Sequence, residues 1–179
     1  MPDAHIRRVL ASDGARLRAL RLEALGDPAA GIAFLETRDE AAARPDEFWD
    51  ERAVVAALTG SAAQFIAEAG PTWVGTVTVL VPEPGRPDYF GRIRDEGTAL
   101  IVAVYIAPSR RGQGLLGELL DAAAEWAASQ GCTELVLDVH EDNARARAAY
   151  ARMGFQPTGG TIDGQNGREL EMEKRLDRA

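Results

Sequence analysis

A short glycine-rich segment, from Arg111 to Gly117, contains residue types that could hold an anion. Gly112 and Gly114 follow an apolar run and precede a helical repeat of leucines. The first amides of a helix have no partner within the helix and lie at the positive end of its dipole, and glycines let them approach an oxyanion closely. Arg111 adds a charge-assisted donor. The segment therefore predicts an anion site, although the same glycines could also serve only as a tight strand-to-helix turn.

The spacing of these glycines differs from that of other phosphate-binding loops. A dinucleotide fingerprint has glycines at its first, third and sixth positions, and a phosphate loop ends in Gly-Lys-Ser/Thr. The segment matches neither pattern.

A second group of chemically capable residues lies on a predicted helix further along the chain. Asn143, Ala146, Tyr150 and Met153 fall on one stripe of that helix. Asn143 and Tyr150 could therefore face one ligand about two turns apart. Taken alone, Tyr150 would more simply be an aromatic residue that packs the helix on a sheet and contacts no ligand.

Composition excludes several functional classes. The 179 residues carry a formal net charge of −8 with no basic cluster, which argues against a nucleic-acid partner. The single cysteine, Cys132, excludes an internal disulfide and a thiolate metal cluster, and we expect no metal. No apolar run approaches the ~18 residues that span a bilayer, and the start lacks a signal-peptide pattern. We therefore expect one cytoplasmic domain over residues 1–179, with no membrane partner.

Periodicity predicts the elements that would position these groups. A strand over 5–10 and a helix ending near Gly26 open the chain, and a second helix runs from Pro45 to Gly60 through Phe48, Trp49, Val54, Val55 and Leu58. Further strands are predicted at 63–68, 72–81, 99–107 and 134–139, with helices after Gly114 and after Asp142 or Asn143. Two late strands, at Phe155 and over 168–175, lie on either side of a glycine-rich link.

One of these strands and two further segments differ in composition from the rest of the chain. The strand over 99–107 is almost entirely apolar, which is typical of a central strand covered on both faces. The pattern over 29–44 is weak. The long Pro- and Gly-rich loop over 82–97 would be either a functional lid or a mobile segment.

The two groups together resemble the GNAT superfamily of N-acetyltransferases. The glycine turn is similar to the family pattern Gln/Arg-x-x-Gly-x-Gly/Ala, within a matching region over 98–130. A second region, 134–156, contains the similar pattern of Asn143, Ala, Tyr150 and a closing Gly-Phe. Leu116 departs from the first pattern because it stands where the family has a small residue, so the turn could shift by one position.

The resemblance implies a layered α/β fold of the GNAT type. Its sheet would be mixed, mostly antiparallel and twisted, with about six to seven strands, helices on both faces and a splay between the two central parallel strands. It also implies acetyl-CoA as co-substrate, with Tyr150 as the general acid that protonates the leaving thiolate. The implied CoA-binding residues are Val104, Tyr105, Ile106, Arg111, Gly112, Gln113, Gly114, Leu115, Leu116, Gly117, Asn143, Ala146 and Tyr150.

The sequence does not identify the general base. Some family members use a glutamate on the central strand, but residues 99–107 contain no carboxylate. The candidates are Glu68, Glu96, Asp138, His140 or a water molecule. Cys132 has no nearby histidine in sequence, which gives little support to a covalent mechanism.

The leading hypothesis is direct acetyl transfer to a primary amine, in a ternary complex, with a small molecule as acceptor. The alternatives are acetylation of a peptide N-terminus or a lysine, and a CoA-binding regulatory module that has lost its activity. A pocket closed by the loop over 82–97 would favour a small amine, whereas an open groove would favour a peptide. The acidic segment over 46–51 could face the amine or could be a solvated helix face. Family members are often dimers, so a homodimer is a further expectation.

Overall fold

The computed structural model describes residues 4–176, which contain one seven-stranded sheet with the order β1-β2-β3-β4-β5-β7-β6. The strands are β1 (His5–Arg8), β2 (Ala62–Ala69), β3 (Thr72–Leu80), β4 (Thr98–Ile106), β5 (Glu134–His140), β6 (Gln156–Gly164) and β7 (Gly167–Arg175). The helices are α1 (Gly14–Ala24), α2 (Arg38–Ala43), α3 (Asp46–Leu58), α4 (Leu115–Ser129) and α5 (Ala144–Arg152). Within this range, no helix is long and apolar enough to cross a membrane.

The pairing of the strands confirms the predicted mixed, mostly antiparallel sheet. Only β4 and β5 run parallel, and every other neighbouring pair in the described sheet is antiparallel. Both β2 and β3 are buried along almost their whole length, because α3 packs on β2 while α4 packs on β2 and β3. The sheet is thus covered on both sides at its centre, next to the parallel pair.

A bulge at Ala103 bends the central strand. Ala103 has a φ of 53°, in the left-handed region that costs a residue with a Cβ about 1–2 kcal/mol. The pairing with β3 shifts here, from Val102 opposite Thr78 to Tyr105 opposite Thr76. Because β4 has one more residue than β3 between these pairs, the extra residue kinks the strand.

The kinked strand separates from its parallel neighbour. Residues Thr98–Leu100 of β4 pair with Glu134–Val136 of β5, and no later residues of the two strands pair. The expected splay is confirmed. The expectation that the whole strand is covered on both faces is wrong, since residues 102–104 are only half-buried where the strands part.

Two segments fold differently from the sequence-based expectation. The weak region 29–44 contains α2, whose first turn is held by a reciprocal capping box between Thr37 and Glu40. The glycine-rich link before the last strand is itself a strand, β6, which lies at the edge of the sheet and is almost fully exposed. Its exposure removes the hydrophobic alternation that would have predicted it.

The helix predicted after Pro45 forms as α3, but it buries only some of the apolar residues that suggested it. Trp49, Ala53 and Ala56 are buried, whereas Val54, Val55 and Leu58 are exposed. Small alanines let α3 lie close to β2, which is why the larger aliphatic residues turn outwards.

Candidate active site

A cavity of about 680 Å³ begins where β4 and β5 separate. One end is lined by the glycine turn, the start of α4 and the inner face of α5. The rest of the wall is formed by α1, the connection between α1 and α2, the loop over 82–97 and the turn between β6 and β7. The two groups of residues predicted from the sequence therefore face a single cavity.

The glycine turn has the backbone conformation that only glycine adopts easily. Gly112 and Gly114 have φ values of 74° and 87°, and Gly114 is the N-cap of α4. A Cβ at position 112 would meet no protein atom within 4 Å, so the turn leaves open space beside its amides. With Gly114 as the cap, Leu115 and Leu116 are the first helical residues, whose amides lack partners within the helix.

Two residues of the turn, Gln113 and Gly117, make contacts with other parts of the protein. The side chain of Gln113 is exposed, does not line the cavity, and donates from Nε2 to the Ser109 carbonyl at 3.0 Å. Gly117 lines the cavity and also allows close helix packing, since a Cβ there would lie 3.2 Å from Sδ of Met153. The two sequence motifs therefore touch each other at this point.

Arginine side chains surround the turn. The Nε of Arg111 donates to the Ile106 carbonyl at 2.9 Å, and its guanidinium also pairs with Asp27. Arg145 and Arg152 of α5 line the same end of the cavity with exposed side chains. These two residues escaped the sequence analysis, although their spacing of seven residues places them on one face of the helix together. Together they make this end suitable for an anion.

The predicted stripe of α5 faces the cavity. Asn143 caps the helix by accepting from the Ala146 amide at 3.2 Å through Oδ1, which leaves its Nδ2 group for another partner. The Tyr150 ring packs edge-on against Phe155, with centroids 5.8 Å apart. The Tyr150 hydroxyl forms no hydrogen bond with residues 4–176, and burial raises its pKa well above the ordinary value. Tyr150 is therefore a protonated phenol that faces the cavity.

The edge of β4 that faces β5 is open beyond Leu100. Val104, Tyr105 and Ile106 all line the cavity along this edge. The Tyr105 hydroxyl donates to Glu23 at 3.0 Å, and burial together with this carboxylate raises the pKa of Tyr105 to about 12. The side chain of Tyr105 thus has a structural partner, while the main chain of the edge has no strand beside it.

The structure does not bring two of the candidate bases to the cavity. Glu68 is bound by Arg7, Arg16 and Trp73, and the Arg7 hydrogen bond is the main cause that lowers its pKa to about 2. Glu96 is exposed and lies outside the cavity wall.

The other two candidates line the cavity, but their polar atoms are engaged. Asp138 accepts from the Tyr89 hydroxyl at 3.0 Å and from Arg92 at 2.9 Å. His140 accepts from the Asp142 amide at Nδ1 (3.1 Å), so its Nε2 carries the proton and donates to the Asn166 carbonyl (3.0 Å). Neither imidazole nitrogen is left to take a proton from a substrate.

A carboxylate that the sequence analysis missed lies beside them. Glu169 of β7 is 8% exposed, lines the cavity and makes no hydrogen bond or ion pair within the described part of the chain. Burial raises its pKa above the ordinary value. Glu171, two residues further on, is instead held by Arg94 at 2.7 Å and Arg92 at 3.1 Å. The alternation of strand 168–175 could have indicated that both carboxylates point to one face.

The loop over 82–97 forms a fixed wall of the cavity. Arg92 and Arg94 anchor it to Asp138 and Glu171, and both also pair with Asp88 inside the loop. Its Tyr89 and Phe90 line the cavity. Buried ion pairs thus hold the loop against β5 and β7, where it forms part of the cavity wall.

Two further segments close the opposite wall. Asn166, in the turn between β6 and β7, donates from Nδ2 to the Phe34 carbonyl at 3.2 Å, and the neighbouring Gln165 donates to the Leu35 carbonyl at 2.6 Å.

The acidic segment over 46–51 is not part of the cavity wall, and its carboxylates are exposed. Across residues 4–176, no group of three or more His, Cys, Asp and Glu side chains could hold a metal ion.

Comparison with known proteins adds three findings. Residues 29–155 match the acetyltransferase (GNAT) family. Aminoglycoside N(6')-acetyltransferase type 1 of Salmonella typhimurium is 25% identical over 96 residues, covering 54% of this chain and 63% of that protein. Thialysine N-epsilon-acetyltransferase of Bos taurus is 38% identical over 91 residues, covering 45% and 54%. The chain thus spans less than two thirds of either relative.

The fold has close counterparts among solved structures. The crystal structure of PaiA N-acetyltransferase of Thermoplasma acidophilum, in complex with coenzyme A, superposes with a TM-score of 0.71 over 96% of this chain and 98% of that chain. The two sequences are 19% identical, so this likeness concerns the fold alone.

Proposed function

The chain belongs to the GNAT acetyltransferase family, and from this premise we propose that it transfers the acetyl group of acetyl-CoA to a primary amine of a small molecule. The observation that carries the proposal is the cavity between the separated strands β4 and β5, with the glycine turn at one end and Tyr150 on its wall. Transfer is direct, from the thioester to the amine, in a ternary complex.

The residues on the cavity wall fit CoA. The open space beside Gly112, the unpaired amides of Leu115 and Leu116, and the nearby Arg145 suit a pyrophosphate. The open edge of β4 and the Nδ2 group of Asn143 suit the amides of the pantetheine arm. Acetyl-CoA supplies the activated acyl group, and the chain orients it along this edge.

Two side chains would move the protons of the reaction. Glu169 takes a proton from the amine as its nitrogen forms the new bond to the acetyl carbon. Tyr150 gives a proton to the thiolate as the carbon–sulfur bond breaks, so that the products are the N-acetylated amine and CoA thiol. A main-chain amide of β4 near Val104, beyond the bulge and without a paired strand on the β5 side, would stabilise the negative charge that the carbonyl oxygen gains.

The cavity wall around Phe34, Tyr89 and Asn166, away from the glycine turn, is here called the acceptor end. Ion pairs anchor the loop over 82–97, and the turn at Asn166 is bonded to Phe34, which supports a small amine over a peptide. Two relatives are named for the acetylation of small amines, an aminoglycoside and thialysine, which agrees with this preference.

An amine screen tests the proposed function. The full chain is incubated with acetyl-CoA and with aminoglycosides, diamines, amino acids and short peptides, and thiol release is measured above hydrolysis. We expect release with a small amine. Binding of acetyl-CoA without release for any amine would favour the CoA-binding regulatory module instead, and release with peptides alone would favour a protein acceptor.

A further inference from the structure

Three arginines surround one carboxylate at the acceptor end of the cavity. Arg21 pairs with Glu36 at 3.1 Å, and Arg44 lies 3.5 Å from the other oxygen of the same carboxylate. Arg52 interacts electrostatically with both arginines and with Glu36. Positive charges therefore outnumber negative ones in the cluster of Arg21, Arg44, Arg52 and Glu36, although Glu40 also attracts Arg44.

Arg52 is the member of this cluster that lacks a bonded partner. It makes no hydrogen bond or ion pair with any residue in the range 4–176, whereas Arg21 and Arg44 both reach Glu36. The Arg52 side chain is exposed on the cavity wall, so a ligand can reach its guanidinium. The neighbouring positive charges of Arg21 and Arg44 add to the attraction for an anion.

The position of Arg52 places it beside the expected reaction centre. Arg21, Glu36 and Arg52 line the main cavity, whereas Arg44 does not. Arg52 also lines an adjoining void of about 20 Å³ together with Ala103 and Tyr105, at the bulge where β4 leaves β5. An anion held by Arg52 would lie at the acceptor end, away from the glycine turn.

Two buried polar atoms on the same void also lack partners. Nε1 of Trp49 and Oε1 of Gln64 belong to side chains that are 3% and 7% exposed, and neither atom has a hydrogen bond. A polar void of this size can hold about one water molecule. Such a water would be bonded by Trp49 and Gln64, and it would connect them to a ligand at Arg52.

We propose that Arg52 binds a carboxylate of the acceptor, so that the acceptor is an amine of the amino-acid type rather than a polycation. The planar fork of a guanidinium matches the two oxygens of a carboxylate, and Arg21 adds a second positive charge nearby. Glu36 holds Arg21 in place. The identity of the acceptor as an amine rests on the proposed function, but the carboxylate site itself does not.

The test measures binding rather than turnover. Affinities of lysine, leucine and phenylalanine, and of the carboxamide of each, are determined by calorimetry for the full chain saturated with CoA. Each pair differs only in the carboxylate. We expect at least one acid to bind about 10- to 100-fold more tightly than its amide, the range of a charge-assisted hydrogen bond.

Variants of the cluster show which arginine causes the preference for the acid over its carboxamide. Arg52→Gln should remove the preference for the acid, and Arg52→Lys should retain part of it because the charge stays while the fork is lost. The control Arg44→Gln removes the same charge outside the cavity and should keep the preference. Equal affinity within every pair, or an undiminished preference in both Arg52 variants, would overturn the proposal. A carboxylate preference without thiol release from any amine would keep this site and refute the proposed transfer.

Discussion

Glu169 on β7 lies directly opposite His140 on β5 in the antiparallel register, yet the two residues have opposite hydrogen-bonding states. Both nitrogens of His140 are occupied by main-chain groups, whereas the Glu169 carboxylate has no partner in the described residues. His140, one of the candidate bases from the sequence, is therefore structural, and its neighbour Glu169 is the residue that we propose as the base.

Replacing Glu169 by Gln should slow acetyl transfer without weakening the binding of acetyl-CoA. We expect kcat to fall by about 10²- to 10³-fold, since general bases contribute on this scale. The ascending limb of the pH–rate profile of the wild type should report the raised pKa of Glu169 and be lost in Glu169→Gln. An unchanged profile would remove Glu169 from the role of base.

At neutral pH, Glu169→Gln should raise the stability of the fold, whereas Glu171→Gln should lower it. Burial raises the pKa of Glu169, so folding favours its protonated form and stability falls as the pH rises through that pKa. Glu169→Gln should therefore be more stable than the wild type at neutral pH and equally stable below pH 4.5, the ordinary value.

The matched control is Glu171, on the same strand. Burial raises its pKa, but the bonds from Arg94 and Arg92 outweigh this and hold the pKa below the ordinary value. Glu171→Gln should cost about 1.5–3 kcal/mol at neutral pH, the value of a charge-assisted hydrogen bond, and the cost should fade as the pH falls. Denaturant unfolding at several pH values measures both variants, and equal shifts at the two sites would contradict this account.

The glycine turn should be sensitive to a single Cβ. Gly112→Ala and Gly114→Ala place a side chain on left-handed backbone, which costs about 1–2 kcal/mol each. Gly131→Ala is the control, because Gly131 has a φ of 86° at the other end of α4 and equally open surroundings. All three should lose similar stability, but only the first two should weaken CoA binding in calorimetry. Equal CoA affinity in all three would show that the turn is merely structural.

The bulge at Ala103 stores backbone strain that sets the separation of β4 and β5. Ala103→Gly should stabilise the fold by up to about 1 kcal/mol. Glycine adopts the left-handed conformation without the strain of a Cβ, and this gain exceeds the extra backbone entropy that glycine loses on folding. Ala103→Val should destabilise it by more than about 1 kcal/mol and weaken CoA binding, since a branched side chain resists this conformation. Thermal unfolding with and without CoA measures both effects.

The parts of the site that the sequence could predict depend on local interactions. The turn at Gly114 and the cap at Asn143 are set by residues within a few positions of each other, so their patterns are readable along the chain. The capping box of Thr37 and Glu40 has the same local character and could have been found.

The missed parts depend on contacts between distant segments. Whether Glu169 or Arg52 is paired is decided by strands and helices far away in sequence. The φ of Ala103 is imposed by pairing with β3, against the preference of alanine. Likewise β6 is a strand because β7 pairs with it, although its own residues are mostly exposed and polar.

The most direct test of the central claim is the rate of thiol release from acetyl-CoA by Tyr150→Phe, with the best amine of the screen as acceptor. Removal of one hydroxyl leaves the ring packing on Phe155 intact, so the fold and CoA binding should be unchanged. We predict that kcat falls by about 10²-fold or more, because the leaving thiolate loses its proton donor. A variant that binds CoA as the wild type does and turns over at the same rate would contradict the assignment of Tyr150 as the acid.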